Sequence, residues 1–216
     1  MRSSPPPIRC KGKAWRCASS RPISSTRKEG ASVTDLHPIC ALGGAAPQSA
    51  RFGALSLREN PDLALASVAH LRGGQSELPR PGPGLWQQDD GIAAFWTGPD
   101  QWMIEGAGLA ASDFAATVAA RAPGCAVTEQ TDGFVAFEIT SDSGAAPIRA
   151  LLEKLVNIDA QGFGPGRATR TGLHHMSIFI IRRAEHHLAV LGMRSAAGTI
   201  WHALTQAAAR QQEITP

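Results

Sequence analysis

The chain has 216 residues, of which 43% are hydrophobic and 18% charged, with a formal charge of +3. That composition supports a packed core and argues against wholesale disorder, and no apolar run approaches the roughly 18 residues of a membrane span. The charge is uneven: residues 1–30 hold eight basic residues and one acid, while the rest hold 13 basic and 17 acidic, so the body lacks the basic face of a nucleic-acid binder.

Residues 1–32 are rich in Ser, Arg and Pro, with no apolar h-region of a secretory signal. This make-up suits an organellar transit peptide or a start placed too far upstream. The segment lacks the apolar surface to offset its ordering entropy, so it reads as a disordered basic tail outside the fold. Residues 33–216 are expected to form one domain of two halves, about 33–124 and 125–216.

In the first half, Leu63 to Ala69 reads as a strand. Ile92 to Trp96 and Trp102 to Ile104 form a hairpin around Gly98-Pro99-Asp100, where proline presets the turn. A helix from about Ser112 to Arg121 turns Phe114 and Val118 inward. Gly73 to Gly84 carries Pro79, Pro81 and Pro83 and cannot be a regular helix.

In the second half, Phe134 to Thr140 reads as a strand with Val135, Phe137 and Ile139 on one face. Ile148, Leu151, Leu152 and Leu155 then make a helical stripe, with Asp142 and Ser143 as candidate caps and Pro147 in the first turn. A loop, Gln161 to Arg167, leads to strands Met176 to Ile181 and Leu188 to Leu191, joined near Arg183–His186. The last helix opens near Ser195 and buries Ala197, Ile200, Trp201, Leu204 and Ala208. The order strand, hairpin, helix recurs, which predicts an α+β fold of two related β/α halves with antiparallel sheets.

The chemical motifs are sparse. The loop Gly162-Phe163-Gly164-Pro165-Gly166-Arg167 lacks the strand-to-helix context of a dinucleotide fingerprint, and Pro165 removes an amide donor. It reads as a connection with special backbone angles. His174-His175 and His186-His187 suggest a metal cluster, but a turn centred near Ala184 sets His187 opposite Ile181 and leaves His175 roughly 20 Å away at about 3.3 Å per residue. Cys10, Cys17, Cys40 and Cys125 show no CxxC spacing, so neither a disulfide scaffold nor a zinc site is expected, and a reducing cytoplasm fits best. The chain has no tyrosine, no GxSxG elbow, no P-loop and no HExxH. Asp132 and Glu138 are the acids placed at the second-half strand, without an evident partner. Trp96 and Trp102 flank one tight turn and are expected to pack near each other, as core more than interface.

Five strings, in order, carry a family resemblance: Ala41-Leu42-Gly43-Gly44; Asn60-Pro61-Asp62 through Ala69; Ala94-Phe95-Trp96-Thr97-Gly98-Pro99-Asp100-Gln101-Trp102-Met103; Thr131-Asp132-Gly133-Phe134-Val135; and Gly166-Arg167 through Thr171 to His175-Met176. Over about residues 35 to 210 the chain resembles the gamma subunit of bacterial heterotetrameric sarcosine oxidase. Family members begin shortly before the first string, which favours a misassigned start as the origin of the tail. They also carry a helix after the first strand, for which His70 to Leu78 is too short.

The resemblance implies a fold like the folate-binding domain of the glycine-cleavage aminomethyltransferase. It implies a complex that demethylates sarcosine to glycine, releasing hydrogen peroxide and either formaldehyde or methylene-tetrahydrofolate. In that complex FAD, FMN, NAD, zinc and tetrahydrofolate belong to other subunits. This chain is then expected to bind no cofactor or metal itself, to supply no catalytic residue, and to dock on alpha, beta and delta subunits. Trp86, Trp96 and Arg167 are the expected interface residues. The rival reading is a free-standing folate-dependent one-carbon transferase or folate-binding protein, which needs a carboxylate poised in a cleft between the halves.

Overall fold

The computed structural model describes residues 38–72 and 74–212; the expected tail, residues 1–32, lies outside them. The strands are β1 (Ser49–Phe52), β2 (Leu55–Asn60), β3 (Leu63–His70), β4 (Trp86–Asp89), β5 (Ile92–Gly98), β6 (Gln101–Ala107), β7 (Cys125–Glu129), β8 (Phe134–Ser141), β9 (Arg167–Leu173), β10 (Met176–Ala184) and β11 (His187–Met193). The helices are α1 (Phe114–Arg121), α2 (Ala146–Leu155) and α3 (Ala197–Gln212). The chain is α+β, with two antiparallel sheets ordered β1-β2-β8-β11-β10-β9 and β4-β5-β6-β3-β7.

Strand alternation sets the layers. On β8, Val135, Phe137 and Ile139 meet Ile148, Leu151 and Leu152 of α2 and Ile200 and Leu204 of α3. On β3, Ala64, Ala66 and Val68 meet Phe114 and Val118 of α1. The opposite faces of the two sheets pack on each other through Leu63, Leu65, Phe95, Met103, Ile181 and Leu191. The result is a helix–sheet–sheet–helix sandwich.

The two sheets repeat one plan: β9-β10-β11-β8-β2 follows the same order as β4-β5-β6-β3-β7. In the first half the last strand, β7, follows α1. In the second half no described strand follows α3, and β2 takes the equivalent place beside β8. The boundary expected near residue 124 is therefore not where the sheets divide, because Cys125–Glu129 pairs with β3 and Leu55–Asn60 with β8. At the matching edges, Leu85 bridges Arg167 and the Trp86 amide donates to the Gly166 carbonyl at 2.8 Å.

Local departures from expectation have clear causes. Asp142 and Ser143 do not cap α2: its N-cap is Ala145, without a side-chain bond, because Gly144 at φ +73 delays the helix. Asp142 instead pairs with Arg51. Within the β10–β11 hairpin His187 faces Ala184 and Ile181 faces Ala189, because the turn lies at Glu185-His186 and a bulge between Arg182 and Ala184 shifts the register by one more residue. The other histidine pair lies in the turn between β9 and β10, at the far end of a nine-residue strand. Glycine is required at Gly106, where a Cβ would stand 2.5 Å from the Phe114 ring.

The connection from Leu71 to Leu85 replaces the missing first-half helix. It is tied down by Gln75 N–H to the Pro123 carbonyl at 2.9 Å, Glu77 N–H to the Arg121 carbonyl at 3.0 Å, and the Trp102 indole N–H to the Pro81 carbonyl at 2.9 Å. Among the described residues, no helix is long and apolar enough to cross a membrane.

Candidate functional site: a polar cleft between the sheets

A cleft of about 920 Å³ opens between the two sheets, with residues of β1 and β2 in its lining. Its size falls in the usual range for small-molecule sites. Its floor is the inner face of β1, β2, β8 and β11, and its wall is the β4–β5–β6 end of the other sheet, including Trp86, Ala93 and Glu105.

Strand parity brings the charges together. Glu105 follows Met103 on the inward face of β6, and Arg183 follows Ile181 on that of β10. Glu105 is 2% exposed and Arg183 14% exposed, so each needs a partner. Arg183 donates from Nη1 to Glu105 Oε2 at 2.8 Å and from Nη2 to Oε1 at 3.0 Å, and the Trp86 indole N–H donates to Oε2 at 2.8 Å. The guanidinium also lies over the Trp86 ring, 5.5 Å from its centroid.

Glu138 continues the network. It accepts from Asn60 Nδ2 at 3.2 Å and from Arg183 Nε at 3.4 Å, and its Oε2 stands 2.8 Å from His187 Nε2. Burial pushes the Glu138 carboxyl up, but the His187 hydrogen bond, the Arg183 charge and the Asn60 amide together hold it below the usual range. Burial likewise pushes Arg183 down, and the Glu105 and Glu138 charges outweigh it, so its pKa is raised. Glu138 is thus held ionised, and both carboxylates are occupied by internal donors.

The floor has free polar groups as well. Arg58 sits between Ser49 and Glu138 in strand register, and Ser56 between Arg51 and Thr140. Arg51 is engaged by Asp142 and the Gly53 carbonyl.

The three expected interface residues do not form one cluster. Trp86 and Arg167 are neighbours at the joined sheet edges, beside Leu85, which is 41% exposed. Trp96 pairs with Trp102 across the β5–β6 turn, as expected, on the opposite side of the five-stranded sheet. Both of these tryptophans are half-buried. Asp132 is exposed in a 3-10 turn, Thr131–Gly133. Glu138, expected to lack a partner, has three.

The sequence reading missed Glu105, Arg183, Asn60 and Arg58. The available signal was a charge at an inward position: Glu105 in phase with Met103, and Arg183 in phase with Phe179 and Ile181.

No protein-family model matches the chain, and no curated protein matches it. Among solved structures the chain is similar to heterotetrameric sarcosine oxidase from Corynebacterium sp. U-96 in complex with pyrrole 2-carboxylate. The TM-score is 0.63 at 20% identity, over 76% of this chain and 88% of that one. A weaker likeness, with a TM-score of 0.49 at 15% identity, extends to the glycine cleavage system aminomethyltransferase T from Bartonella henselae, over 70% of this chain and 48% of that one. The two-sheet α+β architecture is thus shared with a chain of the Corynebacterium oxidase.

Proposed function

We propose that the chain is the non-catalytic gamma subunit of a heterotetrameric sarcosine oxidase acting in the cytoplasm. The observation that carries this reading is a likeness of fold spanning 88% of a sarcosine oxidase chain, joined to the ordered strings of the sequence. The cleft chemistry supports it: Glu105 and Glu138 are each saturated by Arg183, Trp86, Asn60 or His187, so neither is free to act as a base toward a substrate. In this reading flavins, NAD, zinc and tetrahydrofolate sit on the alpha, beta and delta subunits, where amine oxidation occurs. This chain contributes apolar interface, upwards of roughly 2,000 Å² in total. The edge formed by Trp86, Leu85 and Arg167 is one contact region, and Trp96 belongs to a second.

The full chain purified alone tests the reading. It should show no flavin absorbance, no sarcosine turnover and no tight binding of tetrahydrofolate by calorimetry. Stoichiometric, tight tetrahydrofolate binding would establish the one-carbon transferase or folate-binding reading instead.

A further inference from the structure

We propose that the cleft is a binding site for an organic monocarboxylate, anchored by Arg58. The inference goes beyond the subunit reading and does not rest on it.

Most charges in the cleft are already paired. Arg183, Glu105, Glu138, His187, Asn60 and Trp86 bond to one another, and Arg51 is held by Asp142. Arg58 lines the cleft as an exposed side chain at its mouth and has neither hydrogen bond nor ion pair with any described residue. A guanidinium presents a fork of donors that fits a carboxylate with two parallel bonds.

Three hydroxyl residues neighbour Arg58 in the strand register. Ser49 is the register partner of Arg58, Ser56 stands two residues before it on β2, and Thr140 is the register partner of Ser56. All three line the cleft, and none of their hydroxyls bonds to a described residue. A row of O–H donors beside an accessible guanidinium suits an anion.

The opposing wall sets the rest of the ligand. Leu63, Trp86, Ala93 and Ala107 present apolar surface across the cleft, which suits a carboxylate borne on a planar or apolar group. Net charge selects a monoanion. Glu138, directly across from Arg58 in register, is kept ionised, and Asp62 adds a second acid to the lining. A phosphate dianion would meet those two negative charges with one uncommitted guanidinium.

Benzoate, benzamide and phenyl phosphate, titrated into the full chain with tryptophan fluorescence and indole N–H chemical shifts as readouts, test the site. A ligand of benzoate's size should saturate at roughly millimolar concentration. Benzamide and phenyl phosphate should bind at least about tenfold more weakly, and Arg58→Gln should weaken benzoate by about tenfold or more. Arg210→Gln, on α3, should bind as the wild type does. Should Arg58→Gln fail to fold, Arg58→Lys, which keeps the charge without the fork, should still weaken benzoate. Absence of saturation, equal binding of benzamide, tighter binding of phenyl phosphate, or unchanged affinity in the folded Arg58 variant would overturn the proposal.

Discussion

Arg183 of β10 and Glu105 of β6 are joined by two hydrogen bonds, 2.8 and 3.0 Å long, that cross from one sheet to the other. Glu105 is 2% exposed, so removing the guanidinium leaves a buried charge with only the Trp86 indole as a donor. Arg183→Ala should cost about 3–5 kcal/mol, and the double replacement Glu105→Leu with Arg183→Met should recover most of that loss. Urea denaturation of the three proteins measures both. Equal stability of wild type and Arg183→Ala would mean that the pair does not hold the sheets together.

Glu138 gives the fold a dependence on acid. Burial opposes its ionisation, but His187, Arg183 and Asn60 favour it more, so its folded pKa lies below the ordinary 4.5. A depressed carboxyl contributes stability that is fully present above the unfolded value and is lost as pH falls through the folded one. Wild type should therefore lose stability below about pH 4.5 more steeply than Glu138→Gln does. Thermal denaturation from pH 6 to pH 3 gives the comparison, and parallel curves would contradict it.

At Gly106 the Phe114 ring of α1 lies directly against the backbone of β6. Because a Cβ there would lie 2.5 Å from the Phe114 ring, Gly106→Ala should destabilise by about 1–3 kcal/mol. Combined with Phe114→Leu it should cost less than the two single changes added together, since the smaller side chain gives the methyl room. Strict additivity in denaturant titrations would place the strain elsewhere.

Trp102 latches the Leu71–Leu85 connection through its indole N–H on the Pro81 carbonyl. Trp102→Phe should cost about 1 kcal/mol and speed amide exchange of Gln75 and Glu77 more than that of β8. Uniform acceleration across both sheets would show that the latch acts globally.

The repeating architecture was legible because its signals are local: the alternation of Val135, Phe137 and Ile139, the stripe of Ile148, Leu151 and Leu152, and the proline turn between Trp96 and Trp102. The strands β1, β2, β4, β7 and β9 were not. They are short or edge segments, and those such as Arg167–Leu173, with its exposed–buried mixture, acquire a strand's shape from their neighbour rather than from their own pattern. The charge network was hidden for a related reason. Glu105 and Arg183 are 78 residues apart, and only the face-to-face packing of the two sheets makes them partners. His187 was expected opposite Ile181, three residues from its partner Ala184, because neither the two-residue turn at Glu185-His186 nor the bulge near Arg182 has a signature in the residues themselves.

The proposed role requires this polypeptide to work as part of a flavoprotein assembly. Capture of the tagged full chain from its own cells under native conditions, followed by mass analysis and a sarcosine-dependent peroxide assay, tests that most directly. The account predicts equimolar recovery with larger flavin-bearing chains and peroxide release on adding sarcosine. Recovery of a lone monomer, with neither flavin nor turnover in the captured material, would contradict it.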